Sequence, residues 1–232
     1  MVKIHVIIPA AGSGSRMNQD IPKQFTLLEG RTILEWIDFS FSNVNAINTI
    51  TIVLNKDKDY IERLNCKFSS KTKVIYSGGK TRAETVLNTL IQLKDEVLDE
   101  DWVLVHDSAR LGLSERIINA FILDISQDKV GGIMAIPATD TIKRVNQSGQ
   151  IVSTENREEL WLAQTPQMFR YKLLVKALKN FGGIPTDESQ AVEALGLKPK
   201  IVEGSIFNFK ITYPEDLLRA NESFEHIYKG KS

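Results

Sequence analysis

The stretch Ile4-His-Val-Ile-Ile-Pro-Ala-Ala-Gly-Ser-Gly-Ser-Arg-Met17, followed closely by Ile21-Pro-Lys-Gln24, decides how the rest of the chain is read. The apolar run Val6-Ile7-Ile8 stops at small residues and glycines, and two cations, Arg16 and Lys23, follow. This order predicts a buried strand feeding a glycine-rich loop whose backbone N–H groups can face a polyphosphate. The cations would supply the charge that backbone dipoles alone lack. Two other glycine loops fit worse. A dinucleotide fingerprint needs a third glycine where Met17 stands, and a P-loop needs Gly-Lys-Ser/Thr after four intervening residues. A bare strand-to-helix turn needs no ligand at all. The site therefore has to be argued from the rest of the chain.

Strand-like apolar runs recur at residues 3–8, 49–54, 73–76, 102–105 and 131–136. They look continuously apolar rather than alternating, as buried parallel strands do. Amphipathic stretches lie between them. Residues 81–93 place Ala83, Val86, Leu87, Leu90 and Ile91 at helical spacing, and 115–125 do the same with Ile118, Ala120, Phe121 and Ile125. Alternation of this kind predicts a parallel sheet covered by helices.

The segment 139–160 breaks the pattern. Residues 141–145 and 151–154 flank the turn-rich Asn146-Gln-Ser-Gly-Gln150, a hairpin signal. An isolated hairpin is marginal in water, so this arm should pack on something. Apolar chain resumes at 161–164. Residues 171–181 and 187–195 are expected to be helices, the second capped by Thr186. Residues 199–202 and 207–211 are expected to be strands, and a closing helix begins at Pro214. One domain over 1–232, with the hairpin arm at 139–160 within it, is the simplest account.

Composition bounds the function. The 232 residues contain 29 Lys plus Arg and 29 Asp plus Glu, a formal net charge of zero. That balance gives no support to a nucleic-acid partner, so an anion site must be a local cation cluster. No apolar stretch reaches the roughly 18 residues that span a bilayer, so no membrane partner is expected. The first residues lack a signal peptide's cleavage region. The single Cys66 excludes an internal disulfide; with no base nearby it is expected to be a partly buried thiol, and a cytoplasmic setting is expected.

Further residues suggest chemistry. In Val105-His-Asp-Ser-Ala-Arg110, Asp107 follows the end of a strand, where open α/β sheets bind ligands. It could accept from ribose hydroxyls or help hold hydrated Mg²⁺; equally, it could cap a helix or pair with Arg110. His106 is expected to be structural, because the three histidines show no metal-ligand spacing. In Gly78-Gly-Lys-Thr-Arg-Ala-Glu-Thr85, helix capping alone explains Thr81, with Arg82 and Thr85 facing outward. The functional alternative has Gly78, Gly79 and Thr85 lining a pocket for a base. Thr141, Arg157, Thr165 and Thr186 are individually weak signals. Lys210 is stronger: it lies among Phe207, Phe209 and Ile211, so its ammonium should be held by an anion.

Taken in order, several blocks resemble the 2-C-methyl-D-erythritol 4-phosphate cytidylyltransferases of non-mevalonate isoprenoid synthesis. They are Pro9-Ala-Ala-Gly-Ser-Gly-Ser-Arg-Met17 with Pro22-Lys-Gln24, Gly78-Gly with Arg82, Val103-Leu-Val-His-Asp-Ser-Ala-Arg110, Asp140-Thr-Ile-Lys-Arg144, Leu160-Trp-Leu-Ala-Gln-Thr-Pro-Gln167, Thr186-Asp-Glu188 and Asn208-Phe-Lys-Ile-Thr212. The glycine loop alone would indicate a nucleotidyltransferase; the blocks at 160–167 and 186–188 are narrower. The resemblance implies a Rossmann-like α/β domain with a mostly parallel sheet and a projecting dimerisation arm. It implies CMP transfer from CTP to methylerythritol phosphate, giving the CDP-alcohol and pyrophosphate, with Mg²⁺ held mainly by the CTP phosphates and no protein metal ligands.

Residue by residue, the resemblance places Arg16, Lys23, Lys210 and Asp107 in catalytic positions. Ala10, Ala11, Gly12, Gly14, Gly78 and Thr85 fall around the cytidine nucleotide. Arg110, Thr141, Arg157, Thr165 and Thr186 fall around the sugar phosphate. Thr141 and Arg157 would complete the neighbour's site in a homodimer. Leu111 stands where proline is usual, Glu155-Asn156 where valine and aspartate are expected, and Thr85 where serine is common.

This chemistry requires no Ser-His or Cys-His pair. A phosphate monoester, with a second pKa near ~6, is already largely a dianion at neutral pH and can attack the α-phosphorus without a general base. The rival expectations are a cytidylyltransferase for another polyol phosphate such as ribitol 5-phosphate, a non-catalytic nucleotide-binding regulator, and a nicotinamide dehydrogenase.

Overall fold

Two interleaved sets of side chains leave the central strand in opposite directions, and each is covered by its own layer of helices. The strand is β1 (Ile4–Pro9). Val6 and Ile8 enter one apolar cluster while Ile7 enters the other, the period-two alternation of a strand buried on both faces. The computed structural model describes residues 2–12, 21–55 and 58–228. Gly14 and Arg16 lie outside the described residues.

After β1 come a small hairpin of β2 (Leu27–Leu28) and β3 (Arg31–Thr32), then helix α1 (Ile33–Ser42). Thr32 and Glu35 close a capping box that starts α1. Next are β4 (Thr49–Val53), α2 (Lys58–Arg63), β5 (Thr72–Ile75), α3 (Arg82–Gln92), β6 (Trp102–Val105), α4 (Glu115–Ile125) and β7 (Gly131–Pro137). The arm is β8 (Lys143–Val145) paired with β9 (Ile151–Thr154). The chain ends with β10 (Trp161–Arg170), α5 (Tyr171–Asn180), α6 (Glu188–Glu193), β11 (Lys200–Glu203) and α7 (Pro214–Tyr228).

The seven-stranded sheet has the order β11-β7-β10-β6-β1-β4-β5. All its strands run one way except β10, which is antiparallel to both β6 and β7. One face carries α1, α4 and α7 through residues such as Leu34, Phe41, Phe121 and Phe224. The other carries α3, α5 and α6 through Val86, Leu90, Leu174 and Val192. Each fully buried Ile, Leu or Phe contributes about 1.5–3 kcal/mol by leaving water. The mostly parallel, helix-covered sheet matches the sequence expectation. From β1 the chain first moves outward to β4 and β5, then crosses to β6 on the other side. The resulting switch point opens a crevice beyond the strands' C-terminal ends.

Four expectations are corrected. Residues 207–211 do not form a strand; they form a loop whose only ladder contact is an isolated Arg110–Lys210 bridge. There the polar Asn208 is the fully buried residue, the reverse of a strand with its phenylalanines inward. The N-cap of α6 is Asp187, whose side chain accepts from Gln190 N–H, and the Thr186 hydroxyl instead bonds the Gln190 side chain. The inward faces of α3 and α4 also differ: Thr85 and Thr89 are buried while Ile91 is exposed, and Ile122 replaces Ala120. Finally, Arg82 and Thr85 do not face outward from α3; both line the crevice.

Candidate active site

The crevice at the switch point has a volume of about 550 Å³. Pro9, Ala11 and Gly12 reach it from β1, Asn55 from β4, Gly79 to Arg82 from β5, and Asp107 to Ala109 from β6. Gln24 fixes the first of these segments. Its amide donates to the Ala10 carbonyl at 2.7 Å and to the Gly12 carbonyl at 3.0 Å, tying the start of the glycine loop to the 3-10 turn Lys23–Phe25. Asn55 similarly donates to the Ala11 carbonyl at 2.9 Å. Gly78 packs so closely here that a side chain would run into Asn55 and Ala11. Gly79, rather than Gly78, lines the crevice; its N–H donates to the Thr85 hydroxyl at 3.0 Å.

Asp107 is the centre of charge. Arg82 Nε donates to its Oδ1 at 2.8 Å, while Lys210 Nζ lies 2.9 Å and Arg110 Nε 3.3 Å from its Oδ2. Burial alone would raise its pKa, but the charges of Arg82, Lys210 and Arg110 overcome this and hold it well below the usual carboxylate range. It therefore remains ionised at neutral pH. Arg110 is itself braced by the Asn208 carbonyl at 2.9 Å. Opposing burial, the carboxylates of Glu188 and Asp107 hold the Arg82 guanidinium charged.

Behind Asp107 lies a neutral relay. The Asp107 N–H donates to Thr165 Oγ1 at 3.1 Å, and that hydroxyl sits 3.0 Å from His106 Nδ1. His106 Nε2 is 3.0 Å from the Arg110 carbonyl, an acceptor, so the ring proton belongs on Nε2 and Thr165 donates to Nδ1. Burial pushes the His106 pKa down to about 4, with the bond to the Arg110 carbonyl opposing it. His106 is thus a neutral positioning group rather than a base facing substrate. Thr165 reaches this place through an irregularity in β10 between Ala163 and Gln167.

Among the described residues lining the crevice stand four cations, Lys23, Lys80, Arg82 and Lys210, and one carboxylate, Asp107. A chain of zero net charge has built a local positive site suited to a polyanion. Lys23 Nζ also donates to the carbonyl of Ile211, the residue after Lys210, at 3.2 Å, which brings two cations distant in sequence to one side of the crevice. Among the described residues no cluster of His, Cys, Asp or Glu could cage a metal ion.

The structure thus gathers Ala11, Gly12, Lys23, Thr85, Asp107 and Lys210 at the crevice, with Ala10 buried just behind it and Arg110 and Thr165 against Asp107. Thr186 is exposed, two residues before Glu188, which pairs with Arg82. Thr141 and Arg157 are exposed on the arm and do not line this chain's crevice; Arg157 donates to the Thr139 carbonyl. Sequence reasoning missed Gln24, Asn55, Arg82 and Glu188 as site-building residues. The Pro22-Lys-Gln24 and Thr186-Asp-Glu188 blocks held the available signal.

A cationic crevice at the switch point of a doubly wound sheet suits a phosphate-handling transferase, and the chain is a nucleotidyltransferase. Residues 4–226 match the IspD family model, 2-C-methyl-D-erythritol 4-phosphate cytidylyltransferase, and the chain belongs to that family. It is 46% identical over 220 residues, 94% of each chain, to a protein of that name from Nitrosomonas eutropha. Identity to the Pseudomonas aeruginosa protein of the same name is 42% over 224 residues, 95% of each chain. Among solved structures, a 4-diphosphocytidyl-2C-methyl-D-erythritol synthase superposes with a TM-score of 0.85 at 34% identity, covering 97% of this chain and 99% of the other. The Francisella tularensis cytidylyltransferase gives 0.80 at 36% identity, covering 95% and 99%.

Proposed function

We infer that this protein transfers CMP from CTP to 2-C-methyl-D-erythritol 4-phosphate, forming 4-diphosphocytidyl-2-C-methyl-D-erythritol and pyrophosphate. The observation that carries the reading is Asp107 held by Arg82, Arg110 and Lys210 at the end of β6, facing a crevice that Lys23 also lines. The acceptor's phosphate oxygen attacks the α-phosphorus in line. A P–O bond forms as the α–β bridge breaks, and the bridging oxygen leaves with pyrophosphate. The acceptor is already a dianion, so no proton need be removed.

Catalysis then consists of positioning and of stabilising charge on the transferring and leaving oxygens. Arg16, Lys23 and Lys210 supply positive charge, and Asp107 sits between ribose and acceptor. Ala10, Ala11, Gly12, Gly14 and Thr85 form the nucleotide side, with Gly79 lining it and Gly78 packed behind against Ala11 and Asn55; Arg110, Thr165 and Thr186 form the acceptor side. Mg²⁺, bound mainly by the CTP phosphates, would add neutralising charge there. The arm exposes Val145, Ile151 and Val152, with Trp161 and Leu162 beyond its base also partly exposed. Such apolar surface favours packing on a second copy, whose crevice would then receive Thr141 and Arg157. No helix among the described residues is long and apolar enough to cross a membrane, and a lone thiol suits a reducing cytoplasm.

The test is product analysis. With CTP, Mg²⁺ and methylerythritol phosphate, the protein should yield the CDP-alcohol and an equal amount of pyrophosphate. Tight CTP binding without product would support the regulator instead.

A further inference from the structure

Arg82 holds none of the roles assigned above, yet it is the only described side chain bonded both to the end of β6 and to the start of α6 at the crevice. Its Nε donates to Asp107 Oδ1 at 2.8 Å, and its Nη1 donates to Glu188 Oε1 at 2.7 Å. Both carboxylates are buried, Glu188 completely. A guanidinium fork matches one carboxylate best when both of its arms close on it. Here the fork is divided. Glu188 Oε2 and Arg82 Nη2 are left buried without a hydrogen-bond partner. An ion pair built for stability alone would gain by closing bidentate, and buried pairs are in any case weak sources of stability. Divided arms serve instead to hold two separate elements at a fixed spacing.

The two elements matter. Asp107 belongs to the charged centre of the crevice, while Glu188 opens α6 directly after Thr186 and Asp187. Asp187 is committed locally, capping α6 through Gln190 N–H and accepting from Gln167 Nε2 at 2.9 Å. Glu188 is therefore the link from this turn into the crevice. When a polyanion arrives, Lys210 can exchange Asp107 for phosphate, because Oδ2 is still served by Arg110. Arg82 is tethered at its far end and stays on Oδ1.

We propose that Arg82 is a positioning residue that, through Glu188, holds the acceptor-side turn at residues 186–188 in register with Asp107. This rests on reading Thr186 as an acceptor contact. Lysine can carry the charge of Arg82 but can reach only one carboxylate at a time. Arg82→Lys, which reaches one carboxylate, and Glu188→Gln, which keeps an acceptor but loses the charge that holds the guanidinium, should each weaken the link while sparing the nucleotide side.

The experiment is steady-state kinetics on full-length wild type, both single variants and the double variant, varying CTP and methylerythritol phosphate separately. Each single variant should lose roughly tenfold to a hundredfold in kcat/KM for the acceptor, the scale of a displaced reacting group, with KM for CTP moving less than about twofold. The double variant should lose no more than the worse single one, because both act on the same link. Equal rises in both KM values, additive losses, or an unmoved acceptor kcat/KM would each overturn the proposal. If Arg82→Lys fails to fold, Glu188→Gln alone decides by the same split. Wild-type protein inactive on methylerythritol phosphate would overturn the underlying function itself, an outcome separate from active wild type with unaffected variants.

Discussion

Lys210 Nζ lies 2.9 Å from Asp107 Oδ2, so without substrate the cation assigned to the transferring phosphoryl group is held on a carboxylate. The pair keeps the ammonium at the crevice, at the cost of a contact that phosphate must replace. Asp107 keeps Arg82 and Arg110 when Lys210 is lost, so the local structure does not depend on Lys210 alone.

Lys210→Ala and Lys23→Ala should therefore fold normally and lose roughly 10²–10³ in kcat, the usual effect of removing one charge-stabilising group. The same loss is expected for Arg16→Ala. Turnover and circular dichroism on each variant check this, and near-wild-type turnover would remove the residue from the mechanism.

Acid should weaken the fold through His106. Its pKa is about 4 in the folded protein and near ~6.5 unfolded, so between these values the unfolded chain binds more protons and stability falls as pH drops. Over the whole interval the loss is roughly 3 kcal/mol. His5, its pKa also lowered by burial against the opposing pull of Asp101, adds in the same sense. Asp107 contributes only below its unfolded value near ~4, because its folded pKa is depressed. Urea unfolding from pH 7.5 down to 4.5 should show the slope, and His106→Gln should flatten it in part. An unchanged slope would contradict the neutral relay to Thr165.

The arm can be tested by complementation. Lys23→Ala spoils a chain's own crevice, whereas Arg157→Ala spoils the crevice of its neighbour. Co-expressed, the two inactive variants should recover about a quarter of wild-type activity, because half the dimers carry one intact site of two. No recovery, or a monomeric mass in solution, would count against a shared site.

Asn208 clamps the Thr165 carbonyl at 2.7 Å and Gln164 Oε1 at 3.1 Å from a fully buried position. Asn208→Ala leaves these acceptors unpartnered and should cost about 1–3 kcal/mol of stability, read by urea unfolding. It should also raise KM for the acceptor, because Thr165 carries the Asp107 N–H.

Much of the fold was legible because buried parallel strands are continuously apolar, and β1, β4, β5, β6 and β7 all lie within a residue or two of the stretches that announce them. β10 was legible only at its start. Gln164, Thr165 and Pro166 interrupt its pattern where the register shifts, and that interruption is what carries Thr165 to Asp107. The segment 207–211 misled because Phe207 and Phe209 alternate as in a strand. They are in fact half-buried, Phe209 beneath the Arg219 guanidinium, while Asn208 turns inward. In the site, loop residues next to strand ends could be read from the sequence, and Arg82 was part of a recognised block, but its inward tie to two carboxylates could not be read. Helix capping explained its neighbourhood, and its partners Asp107 and Glu188 lie 25 and 106 residues away. Leu111, unusual in place of proline, proves to be a buried core residue. Glu155 and Asn156 have local partners, Arg144 and the Glu158 N–H.

The most direct measurement is CTP-dependent pyrophosphate release with purified methylerythritol phosphate and ribitol 5-phosphate side by side. The account predicts a kcat/KM for methylerythritol phosphate well above that for ribitol phosphate. A preference for ribitol phosphate, or no release with either, would contradict it.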